Sequence, residues 1–185
     1  MPNVFITSDQ HLTHQNMYTF VNFDGSKVRP WDSAAEADEV MRDRWNATVR
    51  PEDKVYCLGD WSISKRGIAF AELLNGTKIL IRGNHDIFRL RDYAPYFKDV
   101  RGLHKLGDYI LSHVPLHPDA ITNRWCKGNV HGHSHNNQIM VEREADSGIG
   151  SYIERVPDPR YINVCVERTN YTPVAFEEIL RANHR

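Results

Sequence analysis

The apolar positions of this chain fall into short, dense runs separated by helix-period or polar stretches. Residues 4–7 (Val-Phe-Ile-Thr), 54–58, 78–81, 109–112 and 161–166 are runs of apolar, β-branched or aromatic residues too short for helices. They are read as buried strands. Between the first two, Ala37, Val40, Met41, Arg44, Trp45 and Thr48 recur at helical spacing behind Ser33 and Glu36, a capping-box pair. That helix should stop before Pro51. A second helix is expected near 66–75 with Gly76 as its stop. A closing helix is expected from Pro173 to Ala182, with proline at its start. Residues 17–32 carry no clean period, 87–98 are amphipathic but interrupted by Pro95, 116–128 read as a loop, and 142–158 as a charged, turn-rich excursion. Strands alternating with helices predict an α/β layered fold. With 185 residues, no repeat and no linker, a single domain over 1–185 is expected.

The residues just past the strands add chemistry to this frame. Four runs end in polar clusters: Asp9 and His11, then Asp60, then Asn84-His85-Asp86, then His113. A fifth cluster, His131-Gly132-His133-Ser134-His135, sets three histidines at alternate positions, so that in an extended segment they share a face. In layered α/β folds ligands sit beyond the carboxyl ends of the strands, so all five clusters can converge on one edge. Asp and His, with an Asn amide oxygen and no thiolate, suit Mn(II), Fe(II), Zn(II), Co(II) or Ni(II) better than a structural zinc. The donors outnumber the needs of one ion; two ions sharing a carboxylate would use them all. His131 is read as a structural neighbour of this group. His14, Asn16 and Arg29 are candidate substrate contacts, arginine being suited to bidentate phosphate binding. Trp31, Trp61 and Trp125 are read as packing under loops.

Composition narrows the setting. Apolar residues make up 41% and charged residues 25%, with a formal net charge of -1, which gives no footprint for long nucleic acid or a membrane surface. Cys57, Cys126 and Cys165 form no pairing pattern, and Cys57 and Cys165 sit in apolar runs as small core residues. No secretory leader or membrane-spanning run is recognisable, so a reducing cytoplasm is the expected location.

Asp-x-His, Gly-Asp, Gly-Asn-His-Asp, a separate His and Gly-His-x-His, in that order from Asp9 to His135, resemble the signature of the calcineurin-like metallophosphoesterases, and the segment 8–16 resembles a compact bacterial and phage branch of them. The resemblance implies a β-sandwich flanked by helices in four αββα layers, with the metal site at the C-terminal ends of strands. It implies that Asp9, His11 and His135 bind one ion, Asn84, His113 and His133 the other, and that Asp60 bridges them. His85 would contact the phosphate or protonate the leaving group, and Asp86 would orient His85. Manganese is the first choice of metal. The implied activity is hydrolysis of a phosphodiester, nucleotide-type, by a metal-bridging hydroxide, the substrate being a small phosphorylated molecule. The alternatives are a phosphomonoesterase acting on a nucleotide or phosphoprotein, a nuclease, and a non-catalytic scaffold of the same fold. Two features depart from the pattern. Trp61-Ser62 stands where many members carry Asp or Asn after Gly-Asp, and the short span from His113 to His133 leaves no room for a cap domain, which predicts an open site.

Overall fold

A computed structural model describes residues 2–21, 24–122 and 124–183. The strands are β1 (Val4–Thr7), β2 (Lys54–Cys57), β3 (Thr77–Ile81), β4 (Asp99–Arg101), β5 (Leu103–Leu106), β6 (Tyr109–Ser112), β7 (Gly128–His131), β8 (Met140–Asp146), β9 (Ser151–Pro157), β10 (Tyr161–Asn163) and β11 (Val174–Ala175). The helices are α1 (Ala34–Thr48), α2 (Lys65–Ala69), α3 (Leu90–Tyr93) and α4 (Phe176–Asn183). The α/β expectation holds.

One sheet has the order β11-β1-β2-β3-β4, with β1 to β4 parallel and β11 antiparallel. The other has the order β10-β7-β6-β5, parallel but for β5. They pack face to face. Ile6, Leu58 and Ile81 of the first sheet meet Leu111, Val130 and Val164 of the second in one buried cluster. Burying each such side chain contributes about 1.5–3 kcal/mol. The opposite face of the first sheet (Phe5, Val55, Cys57, Leu80) packs on Ala37, Met41 and Trp45 of α1 and Ile68 of α2. The outer face of the second sheet is covered through Ile110 by Ile121 and Cys126.

Register brings the strand exits level. Thr7 pairs with Cys57 and Cys57 with Leu80, while Ser112 pairs with His131 and Asn163 with His131. A parallel bridge from Ser8 to Cys165 then joins the two sheets at that end.

Several expected boundaries move. The 66–75 helix is five residues of α2 followed by a 3-10 turn, Phe70–Leu73, before Gly76 at φ +84°. The last long strand is cut to β10, because Val166–Arg168 form a 3-10 turn. The closing helix starts at Phe176, since Val174 and Ala175 pair with β1. Strands β4 and β5, mostly polar, lie in a stretch where no strand was expected. The 142–158 excursion is exposed, as expected, but regular: β8 and β9 pair into a two-stranded hairpin. All three cysteines are free and buried. Among the described residues no helix is long and apolar enough to cross a membrane.

Candidate metal centre

The loops leaving β1, β2, β3, β6 and β7 meet at the level edge. Backbone bonds lock them together: Asp9 N–H donates to Gly59 O, His11 N–H to Asp60 O, and Gly132 N–H to His113 O, at 2.9–3.0 Å. Two trios result. Ligand atoms of Asp9, His11 and His135 lie within 4.8 Å of one another, and so do those of Asp60, His113 and His133; each trio could hold a metal ion.

Asp60 stands between the trios. Its Oδ2 is 3.7 Å from His11 Nε2, and its Oδ1 is 3.4 Å from His113 Nε2. Asn84 joins the second trio, its Oδ1 2.9 Å from His113 Nε2. His85 lies over the gap, its N–H donating to Asp60 Oδ1 at 2.9 Å, its Nε2 4.0 Å from Asp60 Oδ2, and its ring 5.3 Å from that of His11. Its side chain is 46% exposed, which leaves it open to a ligand.

The polar atoms are partitioned as metal ligands require. Asp9 Oδ2 accepts from Ser8 Oγ, His133 N–H and Cys165 Sγ, while Asp9 Oδ1 is buried without a partner. Both ring nitrogens of His11 are likewise buried and without a hydrogen-bond partner. His113 Nδ1 faces Leu58 O at 2.8 Å and His135 Nδ1 faces Glu167 Oε1 at 3.0 Å, so both rings present Nε2 to the centre. A carbonyl or carboxylate on the far ring nitrogen is the usual mark of a ligating histidine, because it fixes the tautomer and the ring's orientation. Burial, then the nearby Arg29 charge, lowers His11 to about 3, so its ring is neutral. Burial alone would raise Asp60, but hydrogen bonding and charge from His113, with the His85 amide, bring it net down to about 2, and it is a carboxylate.

The backbone is strained here. Asp9, His11, Asp60, His133 and His135 all have positive φ, between +46° and +67°. Each such residue costs about 1–3 kcal/mol, and such strain gathers at functional sites. Close packing fixes the loops as well. A Cβ on Gly83 would lie 2.3 Å from Asp60 Oδ1, and one on Gly132 1.9 Å from Ser8 Oγ.

Three expectations change. Arg29 is fully buried and donates to Glu167 Oε1, Asp9 O and Gln10 O. It rivets the strained β1 exit and is not available to a substrate. Asp86 does not orient His85; its carboxylate accepts from the amides of Asp60, Trp61 and Gly83 at 2.8–3.0 Å and so clamps the second and third loops together. Burial outweighs those amides and pushes Asp86 up to about 6. Asn16 is exposed, its carbonyl closes a 3-10 turn, and it is not among the residues that line the cavity beside the centre. His14, by contrast, lines that cavity with His11 and His85. His131 is buried and stands outside both trios, its Nδ1 2.8 Å from Gly132 O. Trp61 and Trp31 are packed inside, whereas Trp125 is half-exposed.

Glu167 was not anticipated. It is buried between Arg29 and His135, and these two partners hold its carboxyl, against burial, down at about 2. The available signal was positional: an acid closing the apolar run Val164-Cys165-Val166, like the other strand-end clusters.

Fold and site together define an α/β protein with two adjoining Asp/His groups able to take metal. No family model matches the chain. The chain belongs to the family of the uncharacterized protein MJ1445 of Methanocaldococcus jannaschii, to which it is 31% identical across 98% of its length and 91% of the relative's. It is also 27% identical, over 76% of its length and 81% of the relative's, to the Gene 66 protein of Mycobacterium phage L5. Among solved structures, the protein of unknown function AQ665 from Aquifex aeolicus aligns over 98% of this chain and all of its own, with a TM-score of 0.65 at 24% identity, a likeness of fold.

Proposed function

We propose that the protein is a dinuclear metal-dependent phosphoesterase that hydrolyses phosphodiesters, in the manner of the calcineurin-like enzymes its motifs resemble. The observation that carries the reading is Asp60, whose two carboxylate oxygens face different histidine groups. Asp9, His11 and His135 would hold one ion, Asn84, His113 and His133 the other, and Asp60 both. Asp9 Oδ1 and His11 Nε2, buried without hydrogen bonds, fit such ions, since buried polar atoms ordinarily find hydrogen-bond partners. An oxygen and imidazole donor set accepts Mn, Fe, Zn, Co or Ni, and the resemblance puts manganese first among them. Two such ions supply Lewis acidity at the phosphoryl oxygens and an acidified water as nucleophile.

The chain's own groups do the rest. Hydrolysis adds water oxygen to phosphorus and breaks the ester P–O bond, so the departing oxygen needs a proton. His85, exposed over the centre, is placed to deliver it, a contribution of roughly 10²–10⁴-fold. Asp86 keeps the Asp60 and Gly83 loops in register, and Glu167 sets the His135 ring. The choice of diester over monoester follows from charge. Among the described residues no Lys or Arg lines the cavity beside the centre, and the candidate Arg29 is engaged by Glu167. A monoester dianion would gain more than a diester monoanion from such a cation.

The test is hydrolysis of bis(p-nitrophenyl) phosphate and p-nitrophenyl phosphate, metal-stripped and with Mn(II) restored, beside a metal count by atomic emission. Two ions per chain, metal-dependent diester turnover and loss of both in Asp60→Asn are expected. Turnover of the monoester alone would move the assignment to a phosphatase. No bound metal and no turnover would overturn the reading in favour of a binding scaffold.

A further inference from the structure

A cavity of about 580 Å³ opens directly beside the metal centre. That is within the range of about 300–1,000 Å³ typical of small-molecule sites, and more than a phosphoryl group needs. One wall is the centre itself, His11, His85 and His135. The other is apolar: Met17, Phe20, Val21 and Val28. This second wall is built. Val28 N–H donates to Phe20 O at 3.1 Å, and Val21 bridges Lys27, so the two flanks of the segment are held side by side. Phe20 is nonetheless 50% exposed and Val21 60%, apolar surface left open at the mouth of a polar site.

The lining excludes as well as admits. Among the described residues no Asp, Glu, Lys or Arg contributes to it, so a second charged group would lose hydration there without a partner. Polar groups that line it beyond the centre are exposed Asn136 and Asn137, and His14, whose Nδ1 is buried without a hydrogen-bond partner. An apolar face for stacking with a few neutral hydrogen-bonding groups at its edge is the complement of a flat heteroaromatic ring.

We infer that this cavity receives an uncharged aromatic or heteroaromatic ring carried by the ester, and that Phe20 and Val28 set the preference for it. The inference rests on the phosphoesterase reading of the adjoining centre. It commits the ring, such as that of a nucleoside, to the retained side of the phosphodiester, since His85 on the centre's wall serves the departing oxygen.

Two measurements separate this inference from the reading beneath it. The first compares bis(p-nitrophenyl) phosphate with methyl p-nitrophenyl phosphate, which share a leaving group and differ in the group retained. The kcat/KM ratio should favour the aryl diester about tenfold or more, a stacking-sized preference. Phe20→Ala and Val28→Asp should bring that ratio near one, while Ile149→Ala, an exposed apolar residue outside the cavity, should leave it unchanged. The second is calorimetric titration of the metal-loaded protein with adenosine and with ribose. Adenosine should bind, ribose should not, and Phe20→Ala should abolish adenosine binding with the metal count intact. Equal rates for the two esters in wild type, with no adenosine binding, would overturn the inference and leave the phosphoesterase standing. Adenosine binding lost in Phe20→Ala but no hydrolysis of any ester would support the ring site and defeat the phosphoesterase.

Discussion

At the scale of single residues, the ligand candidates were legible because their chemistry is local and recurs: one Asp or His at a strand's end reads as a turn residue, but five such clusters do not. What a side chain faces is not local. Arg29 reads as a phosphate clamp until its guanidinium is found buried against Glu167. Asp86 reads as a partner for His85 until its oxygens are found on three backbone amides. Glu167 offers a direct test of support from behind a ligand. Glu167→Gln should weaken metal binding at the Asp9/His11/His135 group by about 10–100-fold, the usual effect of removing a ligand's supporting partner. Competition against a fluorescent chelator reads this, and an unchanged affinity would show that His135 needs no such support. Steric fit gives a sharper contrast. Gly83→Ala places a Cβ 2.3 Å from Asp60 Oδ1 and should abolish binding of at least one ion, whereas Gly102→Ala, which meets nothing within 4 Å, should bind both.

At the scale of elements, α1 shows how much local rules decide. Ser33 accepts from Glu36 N–H at 3.2 Å and the helix stops at Thr48, as the capping pattern and Pro51 predict. Ser33→Ala should cost about 1 kcal/mol in urea unfolding. The same helix carries a tertiary burden. Asp38 turns inward to accept Thr13 N–H at 2.9 Å, while its Oδ1 is buried without a partner. Burial raises its carboxyl from 3.8 to about 6. The folded state therefore holds this proton more tightly than the unfolded chain. The cost of ionising Asp38 is absent below about pH 4 and grows as pH rises through 6. Asp38→Asn keeps the acceptor and removes the charge. It should be the more stable form at pH 7, by about 1–3 kcal/mol, with the gap closing toward pH 4. A constant gap in unfolding midpoints across that range would show that Asp38 is not the titrating group. Elements governed by pairing were the ones misplaced: β4, β5 and β11 are short or polar and exist only because a neighbouring strand offers an edge.

At the scale of the whole molecule, the two sheets share one core and one edge that carries the Asp/His groups, while among the described residues the β8–β9 hairpin pairs only with itself. A two-stranded hairpin has little stability of its own. Hydrogen exchange should be slowest at Ile6, Tyr56, Leu80, Leu111 and Val130 and fast throughout 141–156. Replacing 141–156 by a short turn should leave the unfolding midpoint and metal count near wild type. Protection of hairpin amides equal to that of β2 would mean that it is held by something outside the chain.

The sequence by itself determined the strand-and-helix alternation, the extent of α1, and the residue types gathered at the strand exits. These follow from periodicity, capping and side-chain chemistry, which act over a few residues. Only the tertiary structure decided that Asp60 faces both histidine groups, that Arg29 and Glu167 brace the centre from within, and that Phe20 and Val28 wall a cavity beside it. Arg29 and Glu167 lie 138 positions apart, and Asp9 and His133 lie 124 apart. Contacts at that separation are set by which strands become neighbours, and that is settled by the packing of two sheets rather than by any local pattern.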